Sequence, residues 1–582
     1  MTRALGLLLA ASLVSSAAAT FEQRKTAVIR WHANPTEPQN AGYGAIAAKL
    51  ALRQDPAWCS QRLLELLNAG PSGDMFWMFP VTAIAYVDKG QLSAEARSAL
   101  KRAWKTYMPY RGDTENHLLL YYSSLYLMSQ LWPDADWYTG KTSADNMREA
   151  AAWIESWVKL TTTRGQGEYD STHYMGVYLL PMSYLSAWSD DPKMRQRARM
   201  MLDYLIADYA VENLQGIYVG AHARTDDKQV LEKWSGVSGD FGYVLFGLGP
   251  KVESANHYVL YYLLASGYEP AEILQRIATD RSKPYTHYER KRTRNRWRFN
   301  EALHGPVYKT TYMRREYAVS SDQGGVLQPI QQHSWDITWS VPDPRGVHNT
   351  LFTLNPHSSL HELQTYFVFG PDFGVEAVVR SKKTYDSPDK LLGGSPYEKI
   401  LQDQDAVIVL YNVPAETRFP HVNGFFSKDL VQVAEDPSGW IFARGGDAWI
   451  AVRTLQPYVW KPMEGGGRRL LSLHRQNGTV LQAAAASEYA TLDAFRSAIL
   501  ALPLEYRAEP TPGVRFRSLR GASMEFTWGE PPKLNGKLVD YSRWPLFGGP
   551  FLEAEVDSER LSIRHGSKRR LLDFRNLSVK DD

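Results

Sequence analysis

The sequence contains almost no cysteine, since Cys59 is the only one in 582 residues. A single thiol excludes an intramolecular disulfide, and no Cys/His spacing typical of a structural zinc site is present. Burial of apolar surface must therefore hold the chain together without covalent cross-links. Cys59 itself lies in an apolar stretch with helical spacing, which predicts a core thiol and not a nucleophile.

Cofactor motifs are missing as well. The sequence has no P-loop, no GxGxxG motif that opens a helix, no GxSxG elbow and no HExxH helix. His357 and His361 have the spacing of one helical turn, but Pro356 and the serines between the histidines predict a loop. We therefore expect chemistry that requires neither a cofactor nor a metal ion.

The charge balance shows little bias, with a formal net charge of +3. This balance indicates no nucleic-acid partner, so only local clusters of charge can point to a ligand. One such cluster is the stretch Arg281–Arg298, which is rich in lysine and arginine. It predicts either a solvated linker or one wall of a cleft that binds an anionic chain.

Long apolar runs are also missing after the first residues. Met1–Ala19 has one charge at Arg3, an apolar run over Ala4–Val14 and small residues up to Ala19, which is the layout of a cleaved signal peptide. The run is shorter than the roughly 20 residues that span a bilayer. We therefore expect an exported protein, periplasmic or secreted, that is not inserted into a membrane.

The residues in abundance are aromatic, with 18 Trp and 33 Tyr. Most such rings pack in cores, but they also stack on the faces of sugars. From about residue 26 to residue 279 apolar side chains recur at i, i+3 and i+4, which predicts helices. From Val307 onward short strand-like runs, such as Tyr312–Val319 and Thr365–Phe369, alternate with turn residues.

These patterns predict an α+β multidomain protein. Residues 1–19 are the signal peptide, residues 20–300 a helical domain and residues 301–582 an antiparallel β-sandwich. Short loops between successive helices favour antiparallel hairpins. Because no repeat of fixed period is present, we expect the hairpins to form an (α/α) toroid and not a solenoid.

Two motifs in the helical half suggest binding of an anion. Asn116 and His117 stand where a loop enters a helix, and a helix N-terminus offers free N–H groups to a carboxylate. The alternative is an Asn cap beside a half-buried His. Arg224 suits a bidentate carboxylate clamp, with a surface ion pair to Asp226 or Asp227 as the alternative.

A third motif gathers proton-transfer groups within a few turns of another loop-to-helix junction. It contains Glu168, Asp170, His173, Tyr174 and Tyr178. Tyrosine is a poor base at its free pKa of about 10, but nearby cations lower that pKa. For Tyr178, one helical turn beyond Tyr174, core packing is the alternative.

Two further motifs contain histidine. The first, Asn256-His257-Tyr258, opens a predicted helix, and its pattern favours a cap over a ligand site. The second is Gln331–Asp336 in the β-rich half, which contains His333.

A helical domain with these motifs, followed by an antiparallel sandwich, resembles the heparinase II/III and alginate lyase group, and more distantly chondroitin AC lyase. In that group an Asn or a His binds the uronate carboxylate, and a tyrosine some tens of residues later transfers protons. A His from the early sandwich completes the site. The resemblance implies carboxylate binding by Asn116 and His117, and proton transfer by Tyr174 with His333 or His173.

The sequence also departs from the pattern of that group. Trp335 stands in the middle of the motif where the group often has two His and an Asp at alternate positions, and Asp336 is out of step. The residues before Tyr174 read Asp-Ser-Thr-His, where many relatives have Ser-Pro-Thr. These differences bear on the substrate more than on the fold.

The function expected from the resemblance is a polysaccharide lyase that cleaves an acidic polysaccharide or oligosaccharide by β-elimination. The proposed catalytic residues are Tyr174, His333 and His173, and the proposed substrate-binding residues are Asn116, His117, Arg224, Glu168, Tyr178 and His257. Elimination needs no second carboxylate, so Glu168→Gln is expected to matter little. The alternatives are a glycoside hydrolase that uses Glu168 and Asp170, and a glycan-binding protein without catalysis.

Overall fold

The computed structural model describes residues 19–70, 74–112, 114–265, 267–293, 305–323, 331–357 and 383–582. Nearly all of the predicted signal peptide, the predicted strand Thr365–Phe369, His361 and residues 294–298 of the basic stretch lie outside these ranges. In the described part of the chain, no helix is both long and apolar enough to cross a membrane.

Helices dominate the N-terminal half and antiparallel sheets the C-terminal half, which confirms the predicted α+β layout. The described helices are α1 (Phe21–Ala33), α2 (Tyr43–Ala51), α3 (Pro56–Asn68), α4 (Met78–Asp88), α5 (Ala94–Thr106), α6 (Glu115–Leu131), α7 (Ser143–Arg164), α8 (Met175–Trp188), α9 (Pro192–Val211), α10 (Asp227–Leu231), α11 (Val237–Phe246), α12 (His257–Leu264), α13 (Glu272–Thr279) and α14 (Leu492–Leu500).

Side-chain caps set where several of these helices begin. The hydroxyl of Thr114 accepts from the backbone N–H of His117 at the start of α6, and the Asn256 side chain accepts from Tyr258 at the start of α12. Asn116 is therefore not the cap of its helix but lies in the first turn, while Asn256 is the cap that the sequence indicates.

Five helices form a closed circuit in the helical half. α2 packs on α4, α4 on α6, α6 on α8, α8 on α12, and α12 returns to α2. Helices α3, α7 and α9 pack against α2, α6 and α8, respectively. The starts of α4, α6, α8 and α12 come together at one end, which brings the motifs of separate loops into contact.

The strands follow in chain order. They are β1 (Asn213–Leu214), β2 (Ile217–Tyr218), β3 (Tyr285–Arg292), β4 (Pro306–Met313), β5 (Tyr317–Gln323), β6 (Trp335–Trp339), β7 (Thr350–Leu354), β8 (Glu398–Asp403), β9 (Ala406–Asn412), β10 (Val422–Phe426), β11 (Val431–Glu435), β12 (Trp440–Gly445), β13 (Ala448–Thr454), β14 (Val459–Pro462), β15 (Arg468–Ser472), β16 (Gln476–Ala485), β17 (Leu504–Arg507), β18 (Gly513–Arg517), β19 (Ser523–Thr527), β20 (Lys533–Leu534), β21 (Lys537–Leu538), β22 (Phe547–Gly548), β23 (Leu552–Glu553), β24 (Arg560–His565), β25 (Lys568–Asp573) and β26 (Ser578–Asp581).

Two large antiparallel sheets share a core. One has nine strands in the order β14-β15-β10-β7-β6-β5-β4-β3-β22, and the other has six in the order β11-β12-β13-β16-β9-β8. Along β9, Val407, Val409 and Tyr411 face the shared core, while Ile408 and Leu410 face a second core beneath α14 and the sheet β17-β18-β19-β20-β21. A strand buried on both faces needs a continuous apolar run, which β9 has.

The boundary between the halves differs from the expected one at residue 300. Strand β3, Tyr285–Arg292, already belongs to the nine-stranded sheet. The end of the chain returns to the helical half, since Phe547 and Leu561 join its core and Arg570 pairs with Asp203 of α9 at 3.0 Å. The predicted strand Tyr312–Val319 is two strands, joined where Arg314 N–H donates to Tyr317 C=O at 2.8 Å.

Candidate active site

Glu168 lies at the centre of the site and is fully buried. Its Oε1 accepts from Arg224 Nη1 at 2.7 Å, and its Oε2 accepts from Asn116 Nδ2 at 2.5 Å and from the Tyr178 hydroxyl at 3.1 Å. One buried carboxylate therefore joins three motifs that are far apart in the sequence.

Arg224 lies directly above Tyr174. Its guanidinium carbon is 4.3 Å from the centre of the Tyr174 ring, and its Nε donates to Gln331 Oε1 at 2.9 Å. Burial lowers the pKa of Arg224, but the Tyr174 hydroxyl and the Glu168 carboxylate raise it by more. The side chain is 14% exposed, so a permanently charged fork is held beside Tyr174 with a small part of its surface free.

Aromatic rings surround this pair, and we call Phe79, His173, Tyr174, His257 and Tyr258 the aromatic rim. His173 makes edge contacts with Tyr174 at 5.0 Å and with Tyr258 at 5.7 Å, and His257 stacks on Phe79 at 6.3 Å. Burial lowers the pKa of His173, which Asp226 raises and Arg224 lowers further. A neutral imidazole that can accept a proton thus lies beside Tyr174.

His117 is half-buried and packs edge-on against Phe76 at 5.5 Å. Gly112 leaves it room, since a Cβ there would lie 2.4 Å from the Cβ of His117. Gly112 also has φ +76°, a backbone conformation that favours glycine. The ring of His117 is therefore held in place by a glycine on one side and by an aromatic ring on the other.

The two histidines of the Gly220–Asp227 and Gln331–Asp336 motifs lie side by side. His222 and His333 exchange two backbone hydrogen bonds of 2.9 Å, and their rings are 6.5 Å apart. His333 Nε2 lies 2.8 Å from Asp336 Oδ2. Burial and the Lys233 ammonium lower the pKa of His333, while Asp336 raises it.

Below the aromatic rim lies a buried charge cluster, made of Asp170, Asp208, Glu212, Glu289, Lys291 and Lys309. Lys309 Nζ contacts Asp170 at 2.6 Å and also pairs with Glu212. Lys291 Nζ contacts Asp208 at 2.6 Å and Asp170 at 3.1 Å. The cluster joins α9 and the loop before α8 to strands β3 and β4.

Protonation balances this cluster, which has more carboxyl groups than cations. Burial raises the pKa of Asp170, but Lys291 and Lys309 lower it to about 2. Burial raises the pKa of Glu212 to about 7 and that of Asp208 well above its usual range. Two groups with metal-ligand spacing occur here, Asp208-His287-Glu289 and Asp170-Glu212-Glu289. The carboxylates of both groups surround the ammonium groups of Lys291 and Lys309, which supply positive charge to them.

Three residues predicted to bind substrate have a different placement. Asn116, Glu168 and Tyr178 are each at most 1% exposed, and Asn116 directs both its N–H groups to Thr114 and Glu168. We therefore assign them a supporting role in place of the direct substrate contact expected from the sequence. Tyr178 packs in the core, stacked on Trp157 at 5.9 Å, as the alternative from the sequence predicts.

Part of the basic stretch is buried, unlike the wall of a binding cleft. Lys291 and Arg292 are buried, and Arg292 pairs with Glu115. The Glu115 carboxylate also accepts from the backbone N–H groups of Gly167 and Glu168 at 3.0 Å. These contacts hold the loop before α8 against the start of α6 and the end of β3.

Five other predicted residues are half-buried or exposed, namely His117, His173, Tyr174, Arg224 and His257. His333, which is predicted to transfer protons, is instead buried, with 3% of its surface exposed. Sequence reasoning named Tyr258 and Gln331 as members of motifs without giving them a role, and it missed Lys233 altogether. A lone lysine reads as a surface residue in a sequence. The chain matches no protein-family model, and no curated protein matches it either.

Proposed function

We propose that the protein is a polysaccharide lyase that cleaves an acidic, uronic-acid-containing polysaccharide by β-elimination. The observation that carries the proposal is the Arg224 guanidinium, held by Glu168 at 2.7 Å and stacked 4.3 Å above Tyr174. A fixed cation for a carboxylate and a phenol for proton transfer are thus adjacent at one partly exposed position.

The chemistry explains why both groups are needed. Elimination removes the proton at C5 of the uronate, breaks the bond from C4 to its oxygen and forms the C4–C5 double bond. The C5 proton is weakly acidic while the carboxylate is charged. A cation at the carboxylate stabilises the enolate-like charge that develops, as an oxyanion hole does.

Each residue then has one role. Arg224 and His117 bind the uronate carboxylate, and Glu168 and Asn116 hold Arg224 and the start of α6 in position. Tyr174 transfers the proton, and the neutral His173 or His333 acts as its partner. The partly exposed rings of the rim, His173, Tyr174 and His257, are available to pack against the sugar.

We also propose that the helical half is an (α/α) toroid. The closed circuit of α2, α4, α6, α8 and α12, with further helices packed outside it, supports this architecture. In such a ring the starts of alternate helices lie at one end, where the motifs meet. Export through the predicted signal peptide fits a protein that acts on a polymer outside the cytoplasm.

The hydrolase alternative needs two carboxylates across the scissile bond, about 5–9.5 Å apart. Glu168 is fully buried and accepts three side-chain hydrogen bonds, and Asp170 is paired with two buried lysines. Neither carboxylate is available to a sugar in this arrangement. A glycan-binding protein would use the aromatic rim, but would not need Arg224 stacked on Tyr174.

Product chemistry tests the proposal. Purified protein is incubated with a panel of uronate polysaccharides, and the ultraviolet absorbance of the new conjugated double bond is recorded. We expect absorbance with at least one of them, and a large loss in Arg224→Lys, since lysine cannot reproduce the fork. Cleavage that yields only saturated ends would contradict the lyase and favour the hydrolase.

Glu168→Gln does not separate these alternatives, contrary to the sequence-based expectation. The substitution replaces an acceptor that Arg224 and Asn116 share, and it leaves Arg224 without its buried counter-charge. A lyase and a hydrolase should both lose activity, so only the product distinguishes them.

A further inference from the structure

Lys233 is a buried lysine that the sequence does not single out. Its side chain is 0% exposed, and its Nζ has three neighbours with acceptor atoms. These are Gly220 C=O at 2.8 Å, His222 Nε2 at 3.1 Å and Asp336 Oδ2 at 2.5 Å. An ammonium group has three N–H donors and no acceptor, so each donor has one partner.

These contacts determine which nitrogen of His222 carries the hydrogen. Nδ1 lies 2.6 Å from the Asp170 carbonyl oxygen, which can only accept, so Nδ1 carries the hydrogen. Nε2 faces the Lys233 ammonium, which can only donate, so Nε2 holds a lone pair. His222 is therefore neutral, in agreement with a pKa that burial and Lys233 lower well below its usual value.

The same reasoning applies to His333. Its Nε2 faces Asp336 Oδ2 at 2.8 Å, while Asp336 Oδ1 accepts from the Thr338 hydroxyl at 3.0 Å. Burial raises the pKa of Asp336, but Lys233 and His333 lower it by more, so the carboxylate is ionised and accepts from Nε2–H. In neutral His333 the lone pair is then on Nδ1.

We propose that Lys233 is a positioning residue for His333. Through Asp336 it holds His333 with the hydrogen on Nε2 and the lone pair on Nδ1, so that Nδ1 is the nitrogen on which His333 can accept a proton. Through His222 it also fixes the chain segment that carries Arg224. The role of His333 as a proton acceptor rests on the proposed lyase function, whereas the tautomer does not.

The charged groups around the pair predict how variants behave. Lys233 and Asp336 face His333, and Lys233, Lys309 and His333 act on His222. Lys233→Met leaves the Asp336 charge uncompensated, so the pKa of His333 should rise by about one unit or more. Asp336→Asn leaves the ammonium alone, so the pKa of His333 should fall, and the preference for Nε2–H should be lost.

Nitrogen NMR of the full chain tests the tautomer without any substrate. Ring-labelled histidine is incorporated, His333 is assigned through His333→Gln, and the ring shifts are followed from acid to alkaline pH. We expect Nε2–H for His333, and titrations that move in opposite directions in the two charge variants. Thr338→Val removes a neutral hydroxyl bonded to the same carboxylate and should leave the tautomer unchanged.

Two outcomes overturn the positioning role: a hydrogen on Nδ1 of wild-type His333, or shifts of the same sign in both charge variants. If Lys233→Met does not fold, Asp336→Asn, which keeps the size of the side chain, decides alone by the sign of its shift. With a polysaccharide that the protein cleaves, the apparent pKa on the acid side of the pH–rate profile should shift to higher pH in Lys233→Met. Absence of the double-bond absorbance refutes the lyase proposal, while the NMR result still decides the tautomer.

Discussion

The aromatic rim and the buried charge cluster draw residues from many parts of the chain and meet in one short stretch, where their environments differ sharply. Asp170 and Tyr174 are one helical turn apart in sequence. Asp170 is 3% exposed and paired with Lys291 and Lys309, whereas Tyr174 is half-buried beneath Arg224. Residue type alone would make both candidates for catalysis.

The difference shows that pairing and exposure decide which polar residues can act on a ligand. Charges of the buried cluster satisfy one another, so their substitution should change the free energy of unfolding. His173, Tyr174 and His257 of the rim have part of their surface free, so their substitution should change turnover while the fold survives. The predictions that follow test this division, beginning with the largest effect.

Tyr174→Phe should cause the largest change. It keeps the ring beneath Arg224 and removes the hydroxyl, so a lyase should lose about 10²–10⁴-fold in kcat, the usual contribution of a general acid or base. The unfolding midpoint should stay close to that of the wild type. Steady-state absorbance of the unsaturated product and thermal denaturation measure the two quantities.

Tyr178→Phe is the matched control, one helical turn further on. Its hydroxyl is buried and donates to Glu168 at 3.1 Å. Removing a buried hydrogen bond costs about 1–3 kcal/mol of stability, and turnover should fall by less than in Tyr174→Phe. Lower turnover in Tyr178→Phe than in Tyr174→Phe would contradict the assignment of Tyr174 to the rim and of Tyr178 to a supporting role.

Lys309→Met breaks the buried charge cluster. Lys309 is 0% exposed and holds Asp170 at 2.6 Å, and its loss leaves buried carboxylates without a cation. We expect a loss of about 3–5 kcal/mol in the free energy of unfolding, measured by denaturant titration. Lys101→Met on the exposed face of α5 is the control, with a change within about 0.5 kcal/mol. Equal values for both variants would show that the cluster contributes no stability.

Glu398 sharpens the comparison, because it is a buried carboxyl group that forms no ion pair with any residue in the described ranges. Burial raises its pKa to about 8, although hydrogen bonds from Tyr411, Ser334 and the Asn355 backbone lower it. The folded state then holds a proton that the unfolded chain releases near pH 4.5, so its contribution to stability falls as pH rises from about 4.5 to about 8.

Glu398→Gln should remove that dependence on pH. The variant should gain about 2–4 kcal/mol over the wild type at pH 8 and little at pH 5, by denaturant titration at both values. Asp405→Asn is the contrast in the same half, since Arg520 pairs with Asp405 at 2.9 Å. That variant should lose stability, and a gain in both would refute the explanation.

The sequence predicted helices and strands well where the local hydrophobic pattern agrees with the burial of the segment in the fold. Helices such as α6 and α8 combine apolar spacing with a polar loop before them, and β9 is a continuous apolar run. The turn between β4 and β5 was missed because it contains Arg314, Arg315 and Glu316 without glycine or proline. The return of the last strands to the helical half depends on long-range packing, which periodicity does not report.

For the site, the sequence identified the motifs but not the role of each residue in them. Five separate stretches were singled out, and contacts now connect them through Glu168, Arg224 and Tyr258. Which carboxylate is buried depends on partners such as Lys309 and Lys291, which lie more than a hundred residues away from Asp170. Such pairing is decided by the tertiary fold.

We expect the smallest effect from substitutions of the basic residues on and just before β3. Lys283 is exposed just before β3 and Arg290 is half-buried on β3, while Lys291 and Arg292 are buried. If the basic residues of β3 serve the fold and Arg224 serves the ligand, changing Lys283 and Arg290 to Ser should alter KM by less than about threefold. The ratio of mutant to wild-type KM should also stay constant between low and high salt, since salt screens exposed charges within about 10 Å. A KM that rises steeply at low salt would instead show that this strand binds the anionic chain, and the division between supporting and ligand-binding charges would then have to include β3.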